Sequence, residues 1–307
     1  MRILLQTANA NAGAWRAALV AALPEAEITV WPELPPAADY LVVWKPPAEL
    51  FARAPAAKAI FNLGAGVDAV TKLPTLPAAT PLVRLEDSGM AEQMIDYVTL
   101  AVLAAYREQR AYAGQQRDGI WRARPPLPKA AFGVGLLGLG LLGQAVAAAL
   151  RPFRFPLAGW SRTRKTVPGV AAYAGRDELP AFLGRAQVLV CLLPSTPDTR
   201  DLLDRARLLA LPRGAHVVNV ARGDIVVDAD LIAALDEGHL AGATLDVFRD
   251  EPLPPAHPFW HHPRVAVTPH VSAVTLIEDS VAQVAAKIRR LEAGQAVTGV
   301  VDRARGY

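Results

Sequence analysis

The chain has 307 residues, 52% apolar and 20% charged, enough to bury the cores of one large domain or two ordinary ones. No apolar run is long enough to span a bilayer, and a single cysteine, Cys191, excludes an internal disulfide framework. The net charge of +3 comes from scattered basic residues with no aromatic-interleaved stripe, which argues against nucleic acid and permits an anionic ligand.

The start, Met1 to Gln6, is too short for a signal peptide and reads as a first strand, so a cytoplasmic protein is expected. Further strands are predicted at 28–30, 40–44, 59–62 and 82–85, with proline-rich loops at 32–36 and 74–81. A long helix follows over about 90–106, with Asp87 and Ser88 available to cap it. Residues 115–129, which include Pro125, Pro126 and Pro128, read as an irregular connection into a new domain. That domain opens with an apolar strand at 134–137, the turn Gly138-Leu139-Gly140-Leu141-Leu142-Gly143, and a helix through Leu150. Glycine in such a turn lets the backbone approach a pyrophosphate, whose charge then rests on the free N–H groups of the helix start. Strands at 156–161, 188–193, 216–220, 243–248 and 265–268 are nearly continuous in apolar character, as in a parallel sheet covered on both faces. In the last helix Ile277, Val281, Val284, Ile288 and Leu291 form one apolar face, closed by Gly294. It lies beyond the last strand and can return to the first domain. The predicted architecture is α/β: a Rossmann-type doubly wound parallel sheet domain at 99–273, plus a smaller flavodoxin-like α/β substrate domain, discontinuous, at 1–98 and 274–307.

An NAD site carries an acidic residue about 20 positions after the glycines, on the ribose 2′-OH. Here no acid occurs from Gln144 to Val170, and the second strand ends in Trp160-Ser161-Arg162-Thr163-Arg164-Lys165. A carboxylate would repel a 2′-phosphate; Arg162, Arg164 and Lys165 attract one, and Ser161 can add a hydrogen bond. NADP is favoured over NAD. Three later strands run into Arg222, into Asp246 and Glu251, and into His270. An arginine, carboxylates and a histidine beyond the carboxyl ends of neighbouring strands can carry out proton and carbonyl chemistry.

With these segments on the page, the sequence resembles the D-2-hydroxyacid dehydrogenases, and within them the glyoxylate/hydroxypyruvate reductase A group. The resemblance rests on 62–68, the glycine turn, Trp160-Ser161-Arg162, Leu193-Pro194-Ser195-Thr196-Pro197, Ala221-Arg222-Gly223, Leu245 to Phe248 with Glu251-Pro252, Thr268-Pro269-His270, and the ending 301–307. It implies NADPH-dependent reduction of small 2-ketoacids, glyoxylate to glycolate and hydroxypyruvate to D-glycerate. His270 would be the general acid, and Glu251 would hold its ring and favour the charged form. Arg222 would bind the substrate carboxylate and polarise the carbonyl. The cofactor would be lined by Gly138, Gly140, Leu141, Leu142, Gly143, Trp160, Ser161, Arg162, Arg164, Lys165, Leu193, Pro194, Ala221 and, at the nicotinamide end, Asp246. Trp44, Ala65 and Gly66 would contact the substrate across a cleft from Arg222. Trp121 lies in an arm that in the family serves dimer contact, so a homodimer is expected.

Asp96 stands where the family more often has glutamate, and Lys45 follows Trp44 where that group carries histidine, a change that adds charge and leaves the exact substrate preference open. No metal is expected, because the adjacent His261 and His262 lack a third ligand at suitable spacing. Cys191, between apolar neighbours, reads as a core thiol. Two other readings stay open: a same-family dehydrogenase for a bulkier 2-ketoacid, and a non-catalytic NADP-sensing protein.

Overall fold

The computed structural model describes residues 1–7, 11–54 and 56–306; Tyr307, the last residue of the resembling C-terminal segment, lies outside them. The chain forms two compact units, one of Met1–Met90 with Thr275–Tyr307 and one of Ala91–Val274.

The first unit contains β1 (Arg2–Thr7), α1 (Ala12–Ala22), β2 (Glu27–Val30), β3 (Tyr40–Trp44), α2 (Ala48–Arg53), β4 (Ala59–Asn62), α3 (Asp68–Thr71) and β5 (Leu82–Arg84). Its parallel sheet runs β2-β1-β3-β4-β5, the flavodoxin-like order. Every residue of β4 is buried, because a parallel strand covered on both faces has no solvent side. Leu4, Leu41, Val43, Ile60 and Leu82 share one core with Leu50 and Phe51 of α2.

The second unit begins with α4 (Met90–Tyr106) and α5 (Gln109–Arg117), then β6 (Val134–Leu137), α6 (Leu141–Leu150), β7 (Leu157–Ser161), β8 (Val170–Ala174), α7 (Gly175–Leu183) and β9 (Val188–Cys191). It continues with α8 (Arg205–Leu209), β10 (Ala215–Asn219), α9 (Asp228–Asp236), β11 (Leu240–Leu245) and β12 (Val265–Val267). The sheet order is β12-β11-β10-β9-β6-β7-β8, the doubly wound arrangement, which reverses direction between β6 and β9. Alternate residues serve two cores. Leu137, Leu189, Cys191 and Val217 face one layer, and Val134, Leu136, Val188, Val190 and Val218 face the other.

The helix α10 (Ile277–Glu292) belongs to the first unit. Val281, Val284 and Ile288 are buried as the spacing predicts, whereas Ile277 and Leu291 at its ends are half-buried. Lys287 donates to the Arg84 carbonyl at 3.2 Å and to Glu86 at 3.1 Å, and Glu292 accepts from Tyr40 at 2.6 Å and Lys58 at 2.7 Å. Gly294 follows at φ +69.

Several expectations are corrected. The boundary falls at Met90 rather than after Val98, because Met94 and Val98 pack with Val134, Leu136 and Val146 in the second unit's core. The segment 115–129 is therefore an excursion within that unit and not a link into it, and it is helical as far as Arg117. Ser88 does not cap α4: its hydroxyl is buried with no hydrogen-bond partner among the described residues, and its φ is +48. The edge strand β8 escaped prediction because its Val-Ala-Ala-Tyr-Ala sequence carries little strand signal.

Candidate active site

The glycine turn spans the end of β6 and the start of α6, where the strand order reverses. Gly138 has φ +119, and a Cβ there would fall 2.9 Å from the Leu192 backbone. A Cβ on Gly143 would fall 2.0 Å from the Gly138 carbonyl oxygen. Both positions exclude larger residues so that helix, turn and the segment after β9 can meet. Gly140 differs. A Cβ there would meet nothing within 4 Å, and no side chain caps the helix behind it. An open backbone face ahead of an uncapped helix start suits a pyrophosphate. Leu141 is exposed and Leu142 half-buried at that start, and the Leu193-Pro194 segment continues from Leu192 beside Gly138.

The basic loop after β7 divides into scaffold and surface. The Trp160 ring is in the core, where its Nε1 donates to the Gly175 carbonyl at 2.8 Å; only its own carbonyl reaches the turn, accepting from Gly138 N at 2.9 Å. Ser161 is buried and donates to the Thr163 carbonyl at 2.8 Å. Arg164 donates to the Ala172 carbonyl at 2.6 Å and pairs with Glu178, which also accepts from Ala174 N at 2.7 Å. These three residues tie the loop to the strand and helix beside it through these bonds. Arg162 is exposed, and Lys165 Nζ donates to the Leu139 carbonyl at 3.0 Å, which sets its charge at the glycine turn. An uncapped helix start with these two cations fits a phosphorylated dinucleotide.

The proposed catalytic residues lie beyond β10, β11 and β12. Asn219 is in register with Leu245, and Leu245 with Val267, so the three strands end side by side. Asn219, buried, shapes the first turn: its Nδ2 donates to the Arg222 carbonyl at 2.9 Å and its Oδ1 accepts from Ala221 N at 3.2 Å. Arg222 is half-buried, with Nη1 donating to the Ala221 carbonyl at 2.7 Å. A Cβ on Gly223 would lie 1.9 Å from the Phe248 carbonyl carbon, so this turn rests directly on the one after β11. Phe248 N donates to Glu251 Oε1 at 3.1 Å, and Glu251 Oε2 lies 2.8 Å from His270 Nδ1. A contiguous path thus joins Arg222, Glu251 and His270. A carboxylate only accepts, so His270 Nδ1 carries the proton of that bond and Nε2 is the nitrogen left for chemistry.

β11 stops at Leu245, and Asp246 is the fully buried residue beyond it. Its carboxylate accepts from Thr268 Oγ1 at 2.6 Å, Val271 N at 2.9 Å and Ser272 N at 2.8 Å, and its carbonyl accepts from His270 N at 2.8 Å. Asp246 therefore organises the segment that carries His270, a role its motif position did not reveal.

In the first unit, Trp44 ends β3, and its ring lies 2.2 Å from where a Gly64 Cβ would be. Buried Asn62 donates to the carbonyls of Gly64 and Gly66, both at 2.9 Å, shaping the loop in which Ala65 and Gly66 are half-buried. Lys45 sits 5.8 Å over the Trp44 ring. Asn62 and Asn219 shape these two turns, a part that sequence reasoning missed; the signal available was an asparagine ending a largely apolar strand. Trp121 is fully exposed in its arm. Burial pushes the Cys191 thiol up to about 12, so it is inert. Among the described residues no group of three His, Cys, Asp or Glu side chains could hold a metal, and no helix is long and apolar enough to cross a membrane.

A family model described as D-isomer specific 2-hydroxyacid dehydrogenase, NAD binding domain, matches residues 99–272. Among solved structures, a D-isomer specific 2-hydroxyacid dehydrogenase from Xanthobacter autotrophicus Py2, in complex with NADPH and MES, is 42% identical over 99% of each chain with a TM-score of 0.94. The NADPH-dependent glyoxylate/hydroxypyruvate reductase of Sinorhizobium meliloti, in complex with NADP and sulfate, is 38% identical over 100% of this chain and 99% of its own, TM-score 0.93. A probable 2-hydroxyacid dehydrogenase from Rhizobium etli CFN 42, in complex with NADP, HEPES and L(+)-tartaric acid, is 35% identical over 100% and 99%, TM-score 0.92.

Proposed function

The chain belongs to the D-isomer specific 2-hydroxyacid dehydrogenase family, and on that footing we propose that it is an NADPH-dependent reductase of small 2-ketoacids, acting on glyoxylate and hydroxypyruvate. The observation that carries the reading is the His270–Glu251 pair at 2.8 Å, linked through Phe248 to the Arg222 turn. The Sinorhizobium relative supports the choice of substrates and cofactor.

Gly138, Gly140, Leu141, Leu142 and Gly143 would hold the pyrophosphate, Arg162 and Lys165 the 2′-phosphate, and Leu193, Pro194 and Ala221 the body of the dinucleotide. Bound NADPH supplies the hydride that reduces the keto carbon. Arg222 binds the substrate carboxylate and polarises the carbonyl as negative charge grows on its oxygen. His270 Nε2 delivers the proton to that oxygen, while Glu251 fixes the ring's orientation and stabilises the imidazolium from which the proton comes. Trp44, Ala65 and Gly66 carry the substrate-binding role that the family resemblance implies for them. The active species is a homodimer, an assignment supported by exposed Trp121 and Leu100 and by α5, which has no buried residue.

The test is NADPH oxidation by the purified protein over glyoxylate, hydroxypyruvate and a series of bulkier 2-ketoacids, with NADH in parallel. Turnover with the two small acids is expected; absence of turnover with every 2-ketoacid removes the reading. His270→Ala is expected to abolish turnover and leave NADPH binding nearly intact, and retained turnover takes the acid role from His270.

A further inference from the structure

We propose that Tyr97, on α4, is a positioning residue for the reaction, holding the His270 segment in place through Thr268 and Asp246. The proposal rests on the reading of His270 as the proton donor. His270 has φ +56, a left-handed conformation that a non-glycine residue keeps only when its surroundings impose it. Part of that imposition is the pair of carbonyls that accept from its N–H, those of Asp246 at 2.8 Å and Thr268 at 3.1 Å. The rest is the Asp246 carboxylate, a buried charge satisfied by Thr268, Val271 and Ser272.

The Tyr97 hydroxyl lies 2.5 Å from Thr268 Oγ1. A threonine hydroxyl has one proton, and a carboxylate can only accept, so the Thr268 proton goes to Asp246. Tyr97 must then donate to Thr268. The order Tyr97 to Thr268 to Asp246 is forced, and every donor ends on the charge that organises the His270 segment. Burial holds the Tyr97 hydroxyl above its ordinary titration range, so it remains a donor at working pH.

The same helix face grips the other end of the segment. Gln93, four residues before Tyr97 and on its side of α4, donates to the Val274 carbonyl at 3.0 Å and accepts from Val274 N at 3.1 Å. Met94 and Val98 anchor this stretch of α4 in the core. The segment from Thr268 to Val274 is therefore clamped at both ends to one rigid element, with His270 between the clamps.

Tyr97→Phe removes only the hydroxyl. It is expected to lower kcat about tenfold, the scale of loss when a catalytic group is misplaced by a fraction of an ångström, and to leave NADPH affinity and Tm nearly unchanged. Thr268→Val should cost more, and Thr268→Ser, which keeps the donor chain, should recover most of that loss. In a His270→Asn background Tyr97→Phe should cost nothing further. Amide hydrogen exchange over 268–274, measured on the cofactor-free protein, should accelerate in Tyr97→Phe. Unchanged exchange overturns the proposal, as does faster exchange with kcat within about twofold of the parent, or a kcat loss matched by an equal loss of NADPH affinity. Retained turnover in His270→Asn overturns the proton-donor reading itself and with it the link to catalysis. The exchange result then states separately whether Tyr97 holds the segment.

Discussion

Gly223 shows how much of the site depends on single positions without chemistry of their own. Its missing side chain lets the Arg222 turn rest on Phe248, whose N–H steadies Glu251. Gly223→Ala must push those turns apart. It is expected to destabilise the protein by about 1–3 kcal/mol and to lower kcat/KM for glyoxylate far more than it changes NADPH binding, as steady-state kinetics and nucleotide titration would report. The basic loop yields a sharper contrast. Arg162 and Arg164 are both exposed, and Arg164 also pairs with Glu178 and donates to the Ala172 carbonyl. Arg162→Ala should raise the KM for NADPH roughly 10- to 100-fold, the worth of a charge-assisted contact to phosphate, with little effect on NADH; Arg164→Ala should do less to NADPH. The cations were legible in the sequence because their type and position after the second strand suffice to name them. What Arg164 pairs with was not, because Glu178 reaches the loop from a helix beyond the next strand. Tyr97 was illegible for a similar reason, since Thr268 lies 171 residues away.

The elements themselves were largely readable, since buried parallel strands are near-continuous apolar runs and α10 keeps its helical spacing. β8 was missed because alanines at a sheet edge resemble a loop. The division was expected within α4, after Val98, because an apolar helix face does not say which core it meets. β10 adds a property that a strand assignment cannot convey. His216 is buried on it, with Nε2 2.9 Å from Thr244 Oγ1, and Gly242 on β11 leaves room for the ring, since a Cβ there would fall 2.9 Å from Nδ1. Burial, reinforced by the charge of Arg110, pushes His216 down from 6.5 to about 4. Between those values the unfolded chain holds the proton and the folded chain does not, so stability rises with pH across the window and is lost as pH falls through it. The loss is on the order of 3 kcal/mol. Urea midpoints measured down this range should fall less steeply for His216→Gln than for the parent.

At the scale of the molecule, the chain makes two units with separate cores, and the arm around Trp121 packs into neither. Leu100 is 70% exposed on α4, a helix otherwise rich in buried residues. In the proposed dimer it is covered, so Leu100→Asp should move the sedimentation coefficient from dimer towards monomer without unfolding the protein; a parent that sediments as a monomer would remove the dimer from the reading. The return of α10 to the first unit has a further consequence, in the order of synthesis. The second unit is one continuous stretch, complete once Val274 has left the ribosome. The first unit is opened by β1 yet lacks α10 until Glu292 has emerged. The first unit, begun before the second, must therefore wait for a helix made after it, and its unfinished core is a natural client for chaperones in that interval.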